Sequence, residues 1–100
     1  MAKVVNLYKE PYTVYIGRGS KWGNPYRIGK DGDRSDVISK YRALLYREIR
    51  DARITIDELL ALKGETLGCF CKPKPCHGDV IVETIDLIEM NQLKKILDHE

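Results

Sequence analysis

The chain has 100 residues, 43% hydrophobic and 32% charged, enough for one compact domain (residues 1–100) with a modest core and too few for a second. Its net charge of +2 is too small to announce a nucleic-acid partner by itself. No apolar run approaches the length of a membrane helix, and the start Met1-Ala2-Lys3-Val4-Val5-Asn6 is too short for a secretion signal, so a cytoplasmic protein with no membrane partner is expected.

Taken in chain order, Lys3 to Tyr8 and Tyr12 to Ile16 are rich in β-branched and aromatic residues and read as two strands, with Lys9-Glu10-Pro11 between them. Gly17-Arg18-Gly19-Ser20-Lys21-Trp22-Gly23-Asn24-Pro25 follows, an irregular stretch that combines glycines, cations and a tryptophan. Tyr26-Arg27-Ile28 reads as a short strand closed by a turn over Gly29 to Asp33. Either Asp33 or Ser35 caps a helix to about Arg50, because Val37, Ile38, Tyr41, Leu44, Leu45 and Ile49 recur at helical spacing. Thr55-Ile56-Asp57-Glu58 is a capping-box pattern for a shorter helix that Gly64 ends. Thr66 to Cys71 reads as the inner strand. Val80, Ile81, Thr84, Ile85, Leu87 and Ile88 place a buried helical stripe after it, so Cys76, His77 and Gly78 stand at a helix start. Leu93, Ile96 and Leu97 suggest a last helical turn or two in a C-terminal tail over residues 89–100.

This order predicts an α/β fold: a small Rossmann-like sheet of 3–5 strands, partly parallel, packed by 3–4 helices. The charge is segregated along it. Arg18, Lys21, Arg27, Lys30 and Arg34 face only Asp31 and Asp33 in the basic front half, whereas from His77 onward Lys94 and Lys95 face six carboxylates.

All three cysteines and one of the two histidines fall between Leu67 and Asp79. Alternation along a strand puts Cys69 and Cys71 on one face and Phe70 on the other. Lys72-Pro73-Lys74-Pro75 cannot continue the ladder and reads as a stiff crossover. Three readings of this knot stay open. Cys69, Cys71, Cys76 and His77 have the composition of a zinc site, although adjacent Cys76 and His77 are awkward as joint ligands. Cys76 at a helix N-terminus, near Lys72 and Lys74, is a candidate reactive thiol with Asp79 or His77 as acid–base. Or the thiols are small core residues and the Cys-His pair caps a helix. An odd count of cysteines in a reducing compartment disfavours an obligatory disulfide.

In open α/β sheets, ligands bind beyond the carboxyl ends of parallel strands, beside helix N-termini. If the strand ending at Ile16 runs parallel to the inner one, the loop from Arg18 to Asn24 meets the helix start at Gly78. Arg18, Ser20, Lys21, Trp22, Asn24, Lys72 and Gly78 would then line a cleft suited to a phosphate with an attached base. Trp22 reads equally well as a core or lid residue clamping the loop. Gly17-Arg18-Gly19-Ser20-Lys21 is not a Walker sequence.

Val4-Val5-Asn6-Leu7, Tyr15-Ile16-Gly17-Arg18, Ser20-Lys21-Trp22-Gly23-Asn24-Pro25, Leu67-Gly68-Cys69-Phe70-Cys71 and Pro75-Cys76-His77-Gly78-Asp79 together resemble the phage and bacterial family known as domain of unknown function 4326, over about residues 3 to 88. Family members often carry Trp where Phe70 stands and Pro where Gly19 stands. The Cys-His helix start also looks like that of another Rossmann-like group whose helix opens Cys-His-Arg; Gly78 replaces that arginine here, so no role transfers. The resemblance implies a Rossmann-like half-sheet and a phage-type setting, and supplies no reaction.

The favoured expectation is a small cytosolic binding protein for a phosphate-bearing ligand, a nucleotide or nucleic acid, with the Cys/His cluster holding zinc. The alternatives are an enzyme acting on nucleotides or bases through Cys76 or a metal-bound water, and a zinc-stabilised interaction module that modulates a host protein. A homodimer is compatible with all three.

Overall fold

The computed structural model describes residues 2–98, so Met1 and the last two residues of the expected tail lie outside it. The elements run β1 (Lys3–Asn6), β2 (Val14–Tyr15), α1 (Arg34–Arg50), α2 (Ile56–Leu60), β3 (Thr66–Cys69), α3 (His77–Glu89) and α4 (Leu93–Leu97). The fold is α/β, with a three-stranded sheet in the order β1-β3-β2.

Both pairings are parallel. Val4 and Val14 flank Leu67, Val5 and Tyr15 flank Gly68, and Asn6 lies beside Cys69. The two N-terminal strands are shorter than their β-rich stretches because side chains and turns claim their ends. Asn6 Oδ1 accepts from the Tyr8 N–H at 2.9 Å and the Asn6 carbonyl accepts from Lys9 and Glu10, which turns the chain out of the sheet. The expected strand at Tyr26 to Ile28 does not form. Its N–H groups are spent locally: Tyr26 donates to Asn24 Oδ1 at 3.0 Å and Arg27 to Asp31 Oδ2 at 2.8 Å.

The helix starts follow their caps. Asp33, not Ser35, caps α1, its carboxylate accepting from the Asp36 N–H while Asp36 accepts from Asp33. Thr55 and Glu58 make the same reciprocal pair at α2. α1 packs on α3, α4 packs on both, α2 packs on α3, and α3 lies against β1. Ile16, Leu45, Leu59, Leu67, Ile81, Ile85 and Ile96 form the inaccessible centre between sheet and helices. Thr84 is fully buried there, and its hydroxyl is satisfied by the Val80 carbonyl at 2.7 Å.

Two glycines set how closely the layers meet. A Cβ at Gly78 would stand 2.8 Å from Ile16 Cδ1 and 2.9 Å from Val4 Cγ1, so only glycine lets the start of α3 rest on the sheet. On the opposite face the Tyr12 ring lies over Gly68, 2.7 Å from where its Cβ would be. No helix among the described residues is long and apolar enough to cross a membrane.

Candidate functional site

β2 and β3 end side by side, so the loop after Ile16 and the loop after Cys69 leave the same edge of the sheet. His77 joins them: its Nε2 lies 2.7 Å from the Ile16 carbonyl oxygen. A carbonyl only accepts, so Nε2 carries the proton, and burial lowers the His77 pKa below its ordinary value and keeps the ring neutral. The Tyr41 ring meets His77 edge-on at 5.0 Å. The crossover between β3 and α3 is held from three sides. Lys74 N–H donates to the Cys71 carbonyl at 2.9 Å, Asn6 Nδ2 to the Lys72 carbonyl at 2.7 Å, and the Arg34 guanidinium to the Pro75 carbonyl at 3.0 Å.

Between these segments lies a cleft of about 480 Å³. Its polar wall carries Arg18, Arg27, Arg34 and Asn24, its apolar wall Ile28, Val37, Ile38 and Phe70, and its floor Cys69, Cys71, Cys76 and His77. No carboxylate among the described residues lines it. None of the three guanidiniums has a carboxylate partner among the described residues; Arg18 reaches the Tyr26 carbonyl at 3.4 Å and Arg34 the Pro75 carbonyl.

The floor is a thiol pair. Cys69 Sγ and Cys76 Sγ lie 3.2 Å apart, and Cys76 Sγ also accepts from the Gly78 N–H at 3.3 Å as the cap of α3. The hydrogen bond from Cys76 brings the Cys69 thiol down from 9.0 to about 6, helped by the N–H groups of Cys71 and Lys72 and opposed by burial. Cys76 is pushed up, because it gives its proton to that bond and is desolvated beside the Cys69 charge. The low-pKa thiol is therefore Cys69 and not the Cys76 that helix position alone favours.

A thiolate absorbance titration is expected to show a transition near pH 6 that Cys69→Ser removes. A single midpoint at the ordinary thiol value would refute the shared-proton pair. Between pH 6 and 9 the unfolded chain holds a proton that folded Cys69 has lost. Stability from this group therefore grows across that window and is absent below it.

The four sulfur and nitrogen donors do not fit a zinc site. His77 Nε2 is committed to the Ile16 carbonyl, and among the described residues no group of three or more Cys, His, Asp or Glu is placed to share an ion. Asp79, an acid–base candidate in the sequence, accepts the Cys76 N–H at 3.0 Å and pairs with Lys72, which completes the α3 cap.

Of the seven expected ligand contacts, Arg18 and Asn24 line the cleft. Asn24 is also a loop brace, its Nδ2 donating to the Val37 carbonyl at 3.1 Å. The other five lie elsewhere, each for a local reason. Ser20 Oγ closes its own turn onto the Gly17 carbonyl at 2.6 Å. Lys21 pairs with Glu58 beside a second hollow of about 230 Å³ against α1. Trp22 is buried in the core, and its carbonyl accepts from the Tyr41 hydroxyl at 2.8 Å. Lys72 is turned to Asp79, and Gly78 is buried with its N–H taken by Cys76. Arg27, Arg34 and Phe70 are the cleft residues that motif reading misses. The basic stretch from Arg18 to Arg34 contains both arginines, and that charge asymmetry is the signal that finds them.

The chain is similar to the uncharacterized 12.4 kDa protein of the nrdA-td intergenic region of Enterobacteria phage T4, with 44% identity over 87 residues that cover 86% of this chain and 79% of that protein. No solved structure matches the chain. The family described as Domain of unknown function (DUF4326) matches residues 2–87, which include both strand-end loops, the thiol pair and the start of α3. The chain belongs to that family.

Proposed function

We propose that the chain is a binding protein for a phosphate-bearing ligand of nucleotide type, seated in the cleft at the strand ends. One observation carries this reading: Arg18, Arg27 and Arg34 line one cleft that no carboxylate of the described residues enters. Guanidiniums without internal counter-ions are suited to fork around phosphate oxygens. The apolar lining of Ile28, Val37, Ile38 and Phe70 in the same cleft suits a flat base. The cleft volume of about 480 Å³ lies in the range of small-molecule sites.

The thiol-enzyme alternative has less support. Cys76 has a raised pKa and both paired thiols are buried, with Cys69 1% and Cys76 2% exposed. The zinc-stabilised module lacks a converging donor set among the described residues.

Thermal unfolding against nucleoside mono-, di- and triphosphates, with inorganic phosphate as a separate arm, tests the proposal. A ligand at about 100 times its Kd stabilises by about 2.7 kcal/mol, which for a chain of this size raises Tm by about 10–20 °C. A flat response to every nucleotide at millimolar concentration defeats the reading, and an equal response to bare phosphate reduces it to an anion site.

A further inference from the structure

We propose that the cleft opens onto a stacking platform for single-stranded nucleic acid, formed by Tyr8, Tyr15 and Phe70. The proposal rests on the reading of the cleft as a phosphate site and extends it outward. The carboxyl end of each strand supplies one ring: Tyr8 just past β1, Tyr15 closing β2 and Phe70 just past β3. The rings touch. Phe70 lies 5.5 Å from Tyr8, tilted by 54°, and 6.1 Å from Tyr15, edge-on at 84°.

Tyr15 is half-buried, and Tyr8 and Phe70 remain open to solvent for a structural reason. β3 ends at Cys69, so Phe70 leaves the ladder as the chain turns into its proline crossover, and it stays 49% exposed. Tyr8 is held by the turn on Asn6 Oδ1 and is 79% exposed. Nearby Tyr12 covers Gly68 and is still 44% exposed. Tyr8, Tyr12 and Phe70 are all aromatic, two of them tyrosines, and Ile28 of the adjoining cleft, 53% exposed, is the aliphatic neighbour. Flat rings with polar tips suit bases, which stack without regard to sequence, better than they suit the aliphatic pockets of a protein partner.

Platform and cleft are continuous. Phe70 belongs to both, and the Tyr15 hydroxyl donates to the Arg18 carbonyl at 3.0 Å, fixing the arginine loop beside the rings. A strand whose phosphates enter among Arg18, Arg27 and Arg34 would thus lay its next bases on Phe70 and Tyr8. The complementarity is electrostatic as well as steric, since those three guanidiniums have no carboxylate partner among the described residues.

The test titrates the full chain by fluorescence anisotropy with labelled oligothymidylate and oligouridylate of about 12 nucleotides, alongside thymidine and uridine monophosphate as competitors. At least one oligomer is expected to bind tenfold or more tightly than its mononucleotide, and the two arms show which sugar is preferred. Tyr8→Ala should weaken oligomer binding by about tenfold, the equivalent of one lost base stack, and Tyr8→Phe should restore it. Mononucleotide binding should stay within about twofold in both variants, since Tyr8 does not line the cleft. Oligomer and mononucleotide binding of equal strength overturns the platform and leaves the cleft reading standing. Absence of binding by either defeats both. A Tyr8→Ala variant that binds oligomer normally but changes oligomeric state in size-exclusion chromatography overturns the proposal in favour of a contact between copies.

Discussion

Trp22→Ala is expected to cost about 3–5 kcal/mol of folding stability, a fall in Tm of more than about 10 °C for a chain of this length. The cause is that the segment between β2 and α1 has no sheet or helix of its own and hangs on few anchors. After Ile16 at its start, Trp22, 8% exposed, is the large side chain that ties it into the core, and its carbonyl is the partner of the buried Tyr41 hydroxyl. Burial keeps that phenol protonated by pushing its pKa well up, so the bond persists at any ordinary pH. Removing the indole leaves a cavity and frees the loop that carries Arg18 and Asn24. Chemical and thermal denaturation measure the loss. A variant that keeps its Tm within about 2 °C while losing nucleotide binding would make Trp22 a ligand contact instead of an anchor.

The second large effect falls on binding alone. Arg18→Glu combined with Arg34→Glu should weaken nucleotide binding by more than about 100-fold, because each charge-assisted bond contributes about 1.5–3 kcal/mol and 1.4 kcal/mol is tenfold. Neither guanidinium has an ion-pair partner among the described residues, and their bonds go to the carbonyls of Tyr26 and Pro75, so any fall in Tm should be limited to the loss of those two bonds. Lys30→Glu is the control. It makes the same charge change as either single substitution, half that of the pair, in the same basic stretch, yet Lys30 does not line the cleft, and binding should shift by about twofold or less if local geometry outweighs the screened long-range field. Equal losses from the control and the double variant would mean that overall charge, and not the cleft, attracts the ligand.

How much of this was legible in the sequence depends on whether the cause was local. The caps at Asp33 and Thr55, the stripe Val80-Ile81-Thr84-Ile85 and the inner strand all rest on neighbours within a few residues, and the structure has them. Tyr26 to Ile28 has strand-like composition, but Asn24 and Asp31 take its N–H groups, a competition that composition does not reveal. The meeting of the Ile16 end with the start of α3 follows from strand direction, a non-local property that the sequence leaves conditional. Within the cleft, the choice between Arg27 and Lys21 turns on a distant Glu58 that claims the lysine. The choice between the two thiols turns on which one receives more N–H groups, and that requires coordinates.

The order β1-β3-β2 means that the strand made last is the one on which the other two depend. During synthesis β1 and β2 emerge unable to satisfy each other, since each pairs only with β3, which is made after both. Nascent chains must therefore carry two open strand edges and a row of unshielded tyrosines until Thr66 to Cys69 clears the ribosome and closes the gap. A sheet built this way cannot close before β3 is made, so premature termination ahead of Thr66 leaves sticky fragments and not smaller folded pieces.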